Sequence, residues 1–313
     1  MVFDFFGSAE EMDKSDRLSK PLNADLHMLN GTAGAVAVYA GGSGPPVVLV
    51  HSINALASAA EVRPLFDALR QGNSVYAIDL PGYGLSERLP RAYSVADMCN
   101  AVRLVAQWVA HRHPSQPLQA IGVSLSCEFL ARVAMQTPGL FNTIALVSPT
   151  GFRGGKTLRQ PQGSTLFMAG FDRFLRRPGP AWGRFLFRQL SRPSVVRYFL
   201  RRTWGGQQID ETLWAYAVRT AHVPHAEQAP LSFLSGGLFS ADIHNVYESL
   251  NLPVWVVHGT RGDFTDYRAL ALVRDRPHWH VTVMQAGAMP YFEDIDAFMA
   301  AYRSFLSRAA TRP

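Results

Sequence analysis

The chain has 313 residues, with 30 Lys plus Arg against 24 Asp plus Glu and a formal net charge of +6. Hydrophobic residues make up 48%, aromatics 11% and charged residues only 17%. That composition excludes a chain disordered throughout and supplies a sizeable core. The length fits one large domain or a domain carrying an insertion.

No apolar run approaches the ~20 residues of a spanning helix. The start, Met1 to Gly7, lacks a basic n-region and a long apolar h-region, so no secretory signal is expected. Cys99 and Cys127 give no disulfide framework. A soluble, cytoplasmic protein is the expectation.

In chain order, Val47 to Val50 is a short apolar run after Gly44-Pro45-Pro46, the pattern of a buried strand. Glu61 to Leu69 repeats apolar residues at helical spacing. Ser74 to Ile78 reads as a strand ending at Asp79, and Val95 to Ala110 as a helix. Leu118 to Val123 is a strand followed by a helix over Leu125 to Met135. Thr143 to Val147 is a strand closed by Ser148-Pro149. Later, Val254–Val257 and Val281–Met284 read as strands flanking a helical stretch around Tyr267 to Val273. Phe292 to Leu306 is a last amphipathic helix. Alternating buried strands and helices predict an α/β protein with a mostly parallel sheet covered on both faces.

The basicity is confined to one segment. Gly151 to Gly206 holds twelve basic residues and one acid, Asp172, a net +11 that leaves −5 for the rest of the chain. Its Phe, Trp and Leu content with scattered Gly and Pro predicts several short helices. The expected organisation is a core over 1–151 and 251–313 with a helical cap over 152–250. The cap arginines either solvate an amphipathic lid or attract an anion, with Arg173, Arg176 and Arg177 as the expected capture cations. A carrier protein's phosphopantetheine arm, a carboxylated substrate or an anionic membrane surface would suit them. No recognition motif for nucleic acid accompanies the charge.

The chemistry sits in turns after strands. Gly122-Val123-Ser124-Leu125-Ser126 follows one strand and opens a helix. It is a G-x-S-x-S form of the nucleophile elbow: small residues let strand and helix approach, and the helix start frees N–H groups for a developing oxyanion. His51-Ser52-Ile53-Asn54 and Asp79-Leu80-Pro81-Gly82-Tyr83-Gly84-Leu85-Ser86 follow two others. His258-Gly259-Thr260-Arg261-Gly262-Asp263 and Gly287-Ala288-Met289-Pro290-Tyr291-Phe292-Glu293 follow the last two.

This ordered set resembles the α/β-hydrolase superfamily, in its serine esterase and lipase-like form, over about residues 32–150 and 250–308. The resemblance implies an eight-stranded, mostly parallel sheet with helices on both faces and a cap after the sixth strand. It implies Ser124 as nucleophile, the backbone N–H groups of Ile53 and Leu125 as oxyanion hole, and Asp263 as the acid, with Asp266 as rival. Asn54 and Met289 fall at the substrate site, although Asn54 equally suits a cap of its own loop. Ser52 stands where the family commonly has Gly.

The general base of the family would fall at residue 288, and here it is Ala288, which has no ring nitrogen to take the serine proton. Two readings stand: a His→Ala replacement that silences an enzyme, or a natural non-catalytic ligand-binding relative. The leading expectation is a serine hydrolase cleaving a carboxylic ester with an apolar acyl or aryl group through an acyl-enzyme on Ser124. A thioesterase or acyltransferase acting on CoA or carrier-protein thioesters is the near alternative. No cofactor is implied. His222-Val223-Pro224-His225 is a bare H-x-x-H broken by proline, and no metal is expected there. Cys127 is expected to fill core space.

Overall fold

The computed structural model describes residues 18–177 and 181–311. Met1 to Gly7, expected to carry no signal, lies outside the described residues.

Among the described residues eight strands form one sheet. The first elements among the described residues are an antiparallel hairpin, β1 (Asp25–Gly31) and β2 (Gly34–Gly41), which no sequence pattern announces, because its edge strand β1 is half-exposed and buries no continuous apolar run. The six expected strands follow as β3 (Pro46–Val50), β4 (Ser74–Ile78), β5 (Gln119–Val123), β6 (Thr143–Val147), β7 (Val254–Gly259) and β8 (Trp279–Met284). The order across the sheet is β1-β2-β4-β3-β5-β6-β7-β8, parallel from β4 onward. Strands β3, β4, β6 and β7 are buried at every position, which is why they read as unbroken apolar runs.

Helices cover both faces. After a 3-10 turn over Ala59–Val62 come α1 (Arg63–Leu69), α2 (Val95–Arg112) and α3 (Ser126–Gln136). A capping box starts α2: Ser94 Oγ accepts from Asp97 N–H while the Asp97 carboxylate accepts from Ser94 N–H. Between β6 and β7 lie α4 (Ala169–Leu175), α5 (Trp182–Leu190), α6 (Pro193–Trp204), α7 (Glu211–Thr220), α8 (Gln228–Leu234) and α9 (Ile243–Glu248). The chain closes with the short α10 (Pro290–Glu293) and α11 (Ile295–Ala310). The stretch expected to be helical near Tyr267 is a 3-10 turn over Arg268–Leu272.

One core lies between the sheet and α2, α3 and α9, and the other between the sheet and α1, α10 and α11. Tyr247 of α9 stacks on Phe152 with ring centroids 4.5 Å apart, so this last helix belongs to the layer against the sheet rather than to the lid above it. A smaller apolar cluster, with Leu56, Phe187, Val196 and Ala217, holds the lid helices over the loop that follows β3.

Two pairs of neighbouring strands position the site. β3 lies beside β5, so the loop from His51 meets the turn at Ser124. β7 lies beside β8, so the loop carrying Asp263 meets the loop carrying Ala288. All four loops leave the carboxyl ends of parallel strands, the place where such sheets bind ligands.

Candidate active site

Ser124 sits at the β5–α3 turn with φ +56°, a left-handed conformation that is uncommon for a residue other than glycine. The strain is held by the surrounding turn. Ser124 N–H donates to Val147 O at 2.8 Å, and Ser126 Oγ accepts from Val123 N–H while donating to Val123 O. The sharp turn lifts the Ser124 side chain off the sheet, and its Oγ has no hydrogen-bond partner among the described residues.

A cavity of about 370 Å3 opens above it, lined by Ser124, Leu125, Ile53, Asp263, Ala288 and Met289 together with apolar side chains of the lid. The structure thus brings the expected nucleophile, acid, base position and both oxyanion residues to one space. The N–H groups of Ile53 and Leu125 make no hydrogen bond among the described residues, so both are free to donate into the cavity.

The loop after β3 is braced by a residue the sequence reading passed over. Glu61 is buried; one carboxylate oxygen accepts from Ser52 N–H at 3.0 Å and the other from Asn54 Nδ2 at 2.6 Å. Asn54 Nδ2 also donates to Ser52 Oγ, and Asn54 Oδ1 accepts from Leu56 N–H. Both amide hydrogens of Asn54 are therefore engaged within the loop, so the loop-capping alternative describes it, although it still lines the cavity. Ser52, the departure from the usual Gly, uses its hydroxyl in the same brace. Only an acid inside Ala59-Ala60-Glu61-Val62 pointed to this role in the sequence.

His51 anchors the other side of the loop. Its Nδ1 lies 2.6 Å from Ser52 O and its Nε2 accepts from Leu80 N–H, which fixes a neutral ring protonated at Nδ1. Asp79, which opens the Pro-Gly-Tyr-Gly motif, is fully buried and accepts from Tyr39 Oη, Ala59 N–H and Leu85 N–H. Burial beside that carboxylate pushes the Tyr39 phenol far above its ordinary value.

On the acid side, Asp263 lines the Ser124 cavity, whereas Asp266 lines only an adjoining cavity of about 390 Å3. Asp266 is held by Arg268, and those bonds keep its carboxyl far below the usual carboxylate range. Asp263 is paired with an unforeseen partner. Arg202, near the end of α6, donates through Nη2 to Oδ1 at 2.7 Å and approaches Oδ2 with Nε at 2.7 Å. With Ala288 opposite, a fork-shaped guanidinium takes the carboxylate that a triad would aim at imidazole.

No histidine lines this cavity among the described residues. His258 stacks on Tyr267 at 3.8 Å, and its burial lowers its pKa. His244 is bonded between Leu158 N–H and Gly151 O. Among the described residues no group of His, Cys, Asp and Glu could hold a metal ion. Cys127 is buried with its Sγ against Gly122 O, and burial raises its thiol well above the ordinary value, which suits core packing rather than attack.

Arg176, expected as a capture cation, has another task. It bonds Asp172, Gln228 and Ser232, tying α4 to α8.

The alpha/beta hydrolase fold family profile matches residues 45–294. The chain belongs to that family. Solved structures carry the same fold over nearly the whole chain. A serine hydrolase involved in carbazole degradation superposes with TM-score 0.69 at 17% identity, covering 91% of this chain and 99% of that one. A membrane phospholipase A, described as a bacterial virulence factor, gives TM-score 0.66 at 20% identity over 92% and 87%. Naproxen esterase from Bacillus subtilis gives 0.67 at 17% over 91% and 92%. No curated protein matches the chain by sequence. No helix among the described residues is long and apolar enough to cross a membrane.

Proposed function

We propose that this chain is a serine hydrolase for carboxylic esters with an apolar acyl or aryl group, arrested by alanine at the general-base position. The observation that carries the reading is Ser124, held at φ +56° under an apolar cavity beside two free N–H donors. In that geometry the serine oxygen attacks the ester carbonyl and the N–H groups of Ile53 and Leu125 receive the developing oxyanion. The hydroxyl proton needs an acceptor, and the methyl group of Ala288 offers none. Attack therefore stops before the acyl-enzyme forms. Water would otherwise release the acid from that intermediate, with the base acting a second time.

Loss of one triad member costs about 10⁴–10⁶ in rate in other serine hydrolases. Ala288→His is expected to recover activity of that order on p-nitrophenyl esters and to gain labelling of Ser124 by a fluorophosphonate. A folded histidine variant that neither labels nor hydrolyses esters or acyl thioesters would sink the reading. The same site serves thioesters and acyl transfer, and parallel assays with an acyl-CoA and an alcohol acceptor assign the acceptor.

A second reading, a non-catalytic ligand-binding relative, is favoured by the Arg202–Asp263 pair, which gives the acid a partner that needs no histidine. Binding of an intact apolar ester by this chain, with no gain of turnover in Ala288→His, would support it.

A further inference from the structure

The lid carries an apolar surface that lies largely outside the site and meets it at Phe199. Of the fourteen large hydrophobic residues exposed among the described residues, nine fall between Leu166 and Phe199. Seven of the nine are aromatic, with Trp182 45% exposed and Phe185 56%. Phe174 of α4 stacks on Trp182 of α5 at 6.0 Å, and Phe185 meets the edge of that indole at 6.3 Å. A run of half-exposed aromatics on packed helices is unlike the scattered single residues of an ordinary surface.

Part of the charge on and around the same helices lacks an ion-pair partner. Of the twelve cations between Gly151 and Gly206, Arg159, Arg176, Arg197 and Arg202 are in ion pairs. The other eight, among them Arg173, Arg177, Arg184, Arg188 and Arg192, have no ion-pair partner among the described residues. Arg184 and Arg188 alternate with Trp182 and Phe185 along α5. Interleaved aromatics and arginines are the composition that rests at a headgroup boundary, with rings at the acyl edge and guanidinium groups on lipid phosphates.

The patch reaches the cavity. Phe199 of α6 and Phe264, beside Asp263, are both about half-exposed and both line the space above Ser124. An acidic soluble protein would answer the arginines and leave the rings in water. An anionic bilayer answers both and holds acyl esters at its surface. We propose that the lid face of α4, α5 and α6 docks on anionic lipid bilayers and turns the cavity mouth toward bilayer-resident acyl esters. The docking stands on the surface alone, and only the substrate clause rests on the ester-hydrolase reading.

The test is co-sedimentation of the full chain with vesicles of phosphatidylcholine alone and of equal parts phosphatidylcholine and phosphatidylglycerol. Binding is expected to the anionic vesicles and to weaken as salt rises. Trp182→Ser with Phe185→Ser, at residues outside the cavity lining, is expected to weaken it at least about tenfold. Arg184→Gln and Arg188→Gln are each expected to weaken it about fivefold on anionic vesicles. Thermal melts matching the parent exclude misfolding as the cause.

Equal binding to both vesicle types, no binding to either, or variants that bind like the parent would overturn the proposal. So would an acidic carrier protein that binds this face while vesicles do not, or a dimer abolished by Trp182→Ser with Phe185→Ser. The readout needs no turnover, so an inactive Ala288→His variant leaves the docking result standing, and absent docking leaves the site reading standing.

Discussion

The ion pair between Arg202 and Asp263 makes the acid a contested residue. Both partners are partly exposed, so solvent screens the pair and it is weak. In an Ala288→His background the new imidazole must share Asp263 with the guanidinium, and a neighbouring cation disfavours imidazolium. Arg202→Ala in that background is therefore expected to raise kcat/KM about 1.4–5-fold. It should also move the acid limb of the pH–rate profile to higher pH, because Asp263 would then stabilise the protonated base alone. A profile that stays in place would show that Arg202 and residue 288 are not coupled through the acid.

At the scale of elements, the lid is not hinged freely above the site. The end of α6 is pressed backbone to backbone against the loops that carry Asp263 and Ala288. A Cβ on Gly205 would lie 2.5 Å from Gly262 N, one on Gly262 would lie 2.5 Å from Arg202 O, and one on Gly287 would overlap the Trp204 carbonyl. Ala288 N–H donates to Thr203 O at 2.9 Å across the same seam. Gly262 also has φ +88°, so Gly262→Ala adds both strain and a clash. It is expected to cost about 1–3 kcal/mol in urea unfolding and to lower the turnover of Ala288→His by lifting the acid loop. Gly155→Ala is the control: its φ is +75° but no atom lies within 4 Å, so it should lose only the strain. Equal losses at the two positions would mean the seam contributes nothing.

This seam also marks where the sequence stops being readable. The six strands from Val47 to Met284 and the turn at Ser124 were legible because buried strands and nucleophile turns leave local patterns of apolar runs and small residues. The β1–β2 hairpin was not, since its outer strand is half-exposed and lacks that pattern. Glu61 and Arg202 were also hidden: Glu61 folds back on Ser52 and Asn54 of its own connection without any motif to mark it, and no spacing announces Arg202's partner sixty-one residues away. Arg176 and Arg173 look alike in sequence, yet one ties two helices and the other makes no ion pair among the described residues. Charge totals show which segment is basic; packing decides which of its cations are free.

The whole molecule is closed around a buried polar knot beneath the lid. Arg132 of α3 forms a bidentate pair with Asp242, just before α9, with both side chains nearly inaccessible, and Asp242 also accepts from Gly163 N–H. Beside it, Glu128 accepts from Thr150 Oγ1 and from Ser240 N–H, joining α3 to the chain as it leaves and re-enters the core. Burial pushes the Glu128 carboxyl up from its ordinary 4.5 to about 7. Below 4.5 the folded and unfolded chains both hold this proton. Between 4.5 and about 7 only the folded chain does, so this group makes stability fall as pH rises, by about 1.4 kcal/mol per pH unit and about 3 kcal/mol in all. Glu128→Gln presents an amide that resembles the protonated acid and never ionises. Urea unfolding across about pH 5 to 8 is expected to show a flatter profile for this variant, with its gain over the parent largest at the alkaline end. Parallel profiles would place the proton on another group and leave Glu128 ionised within the knot.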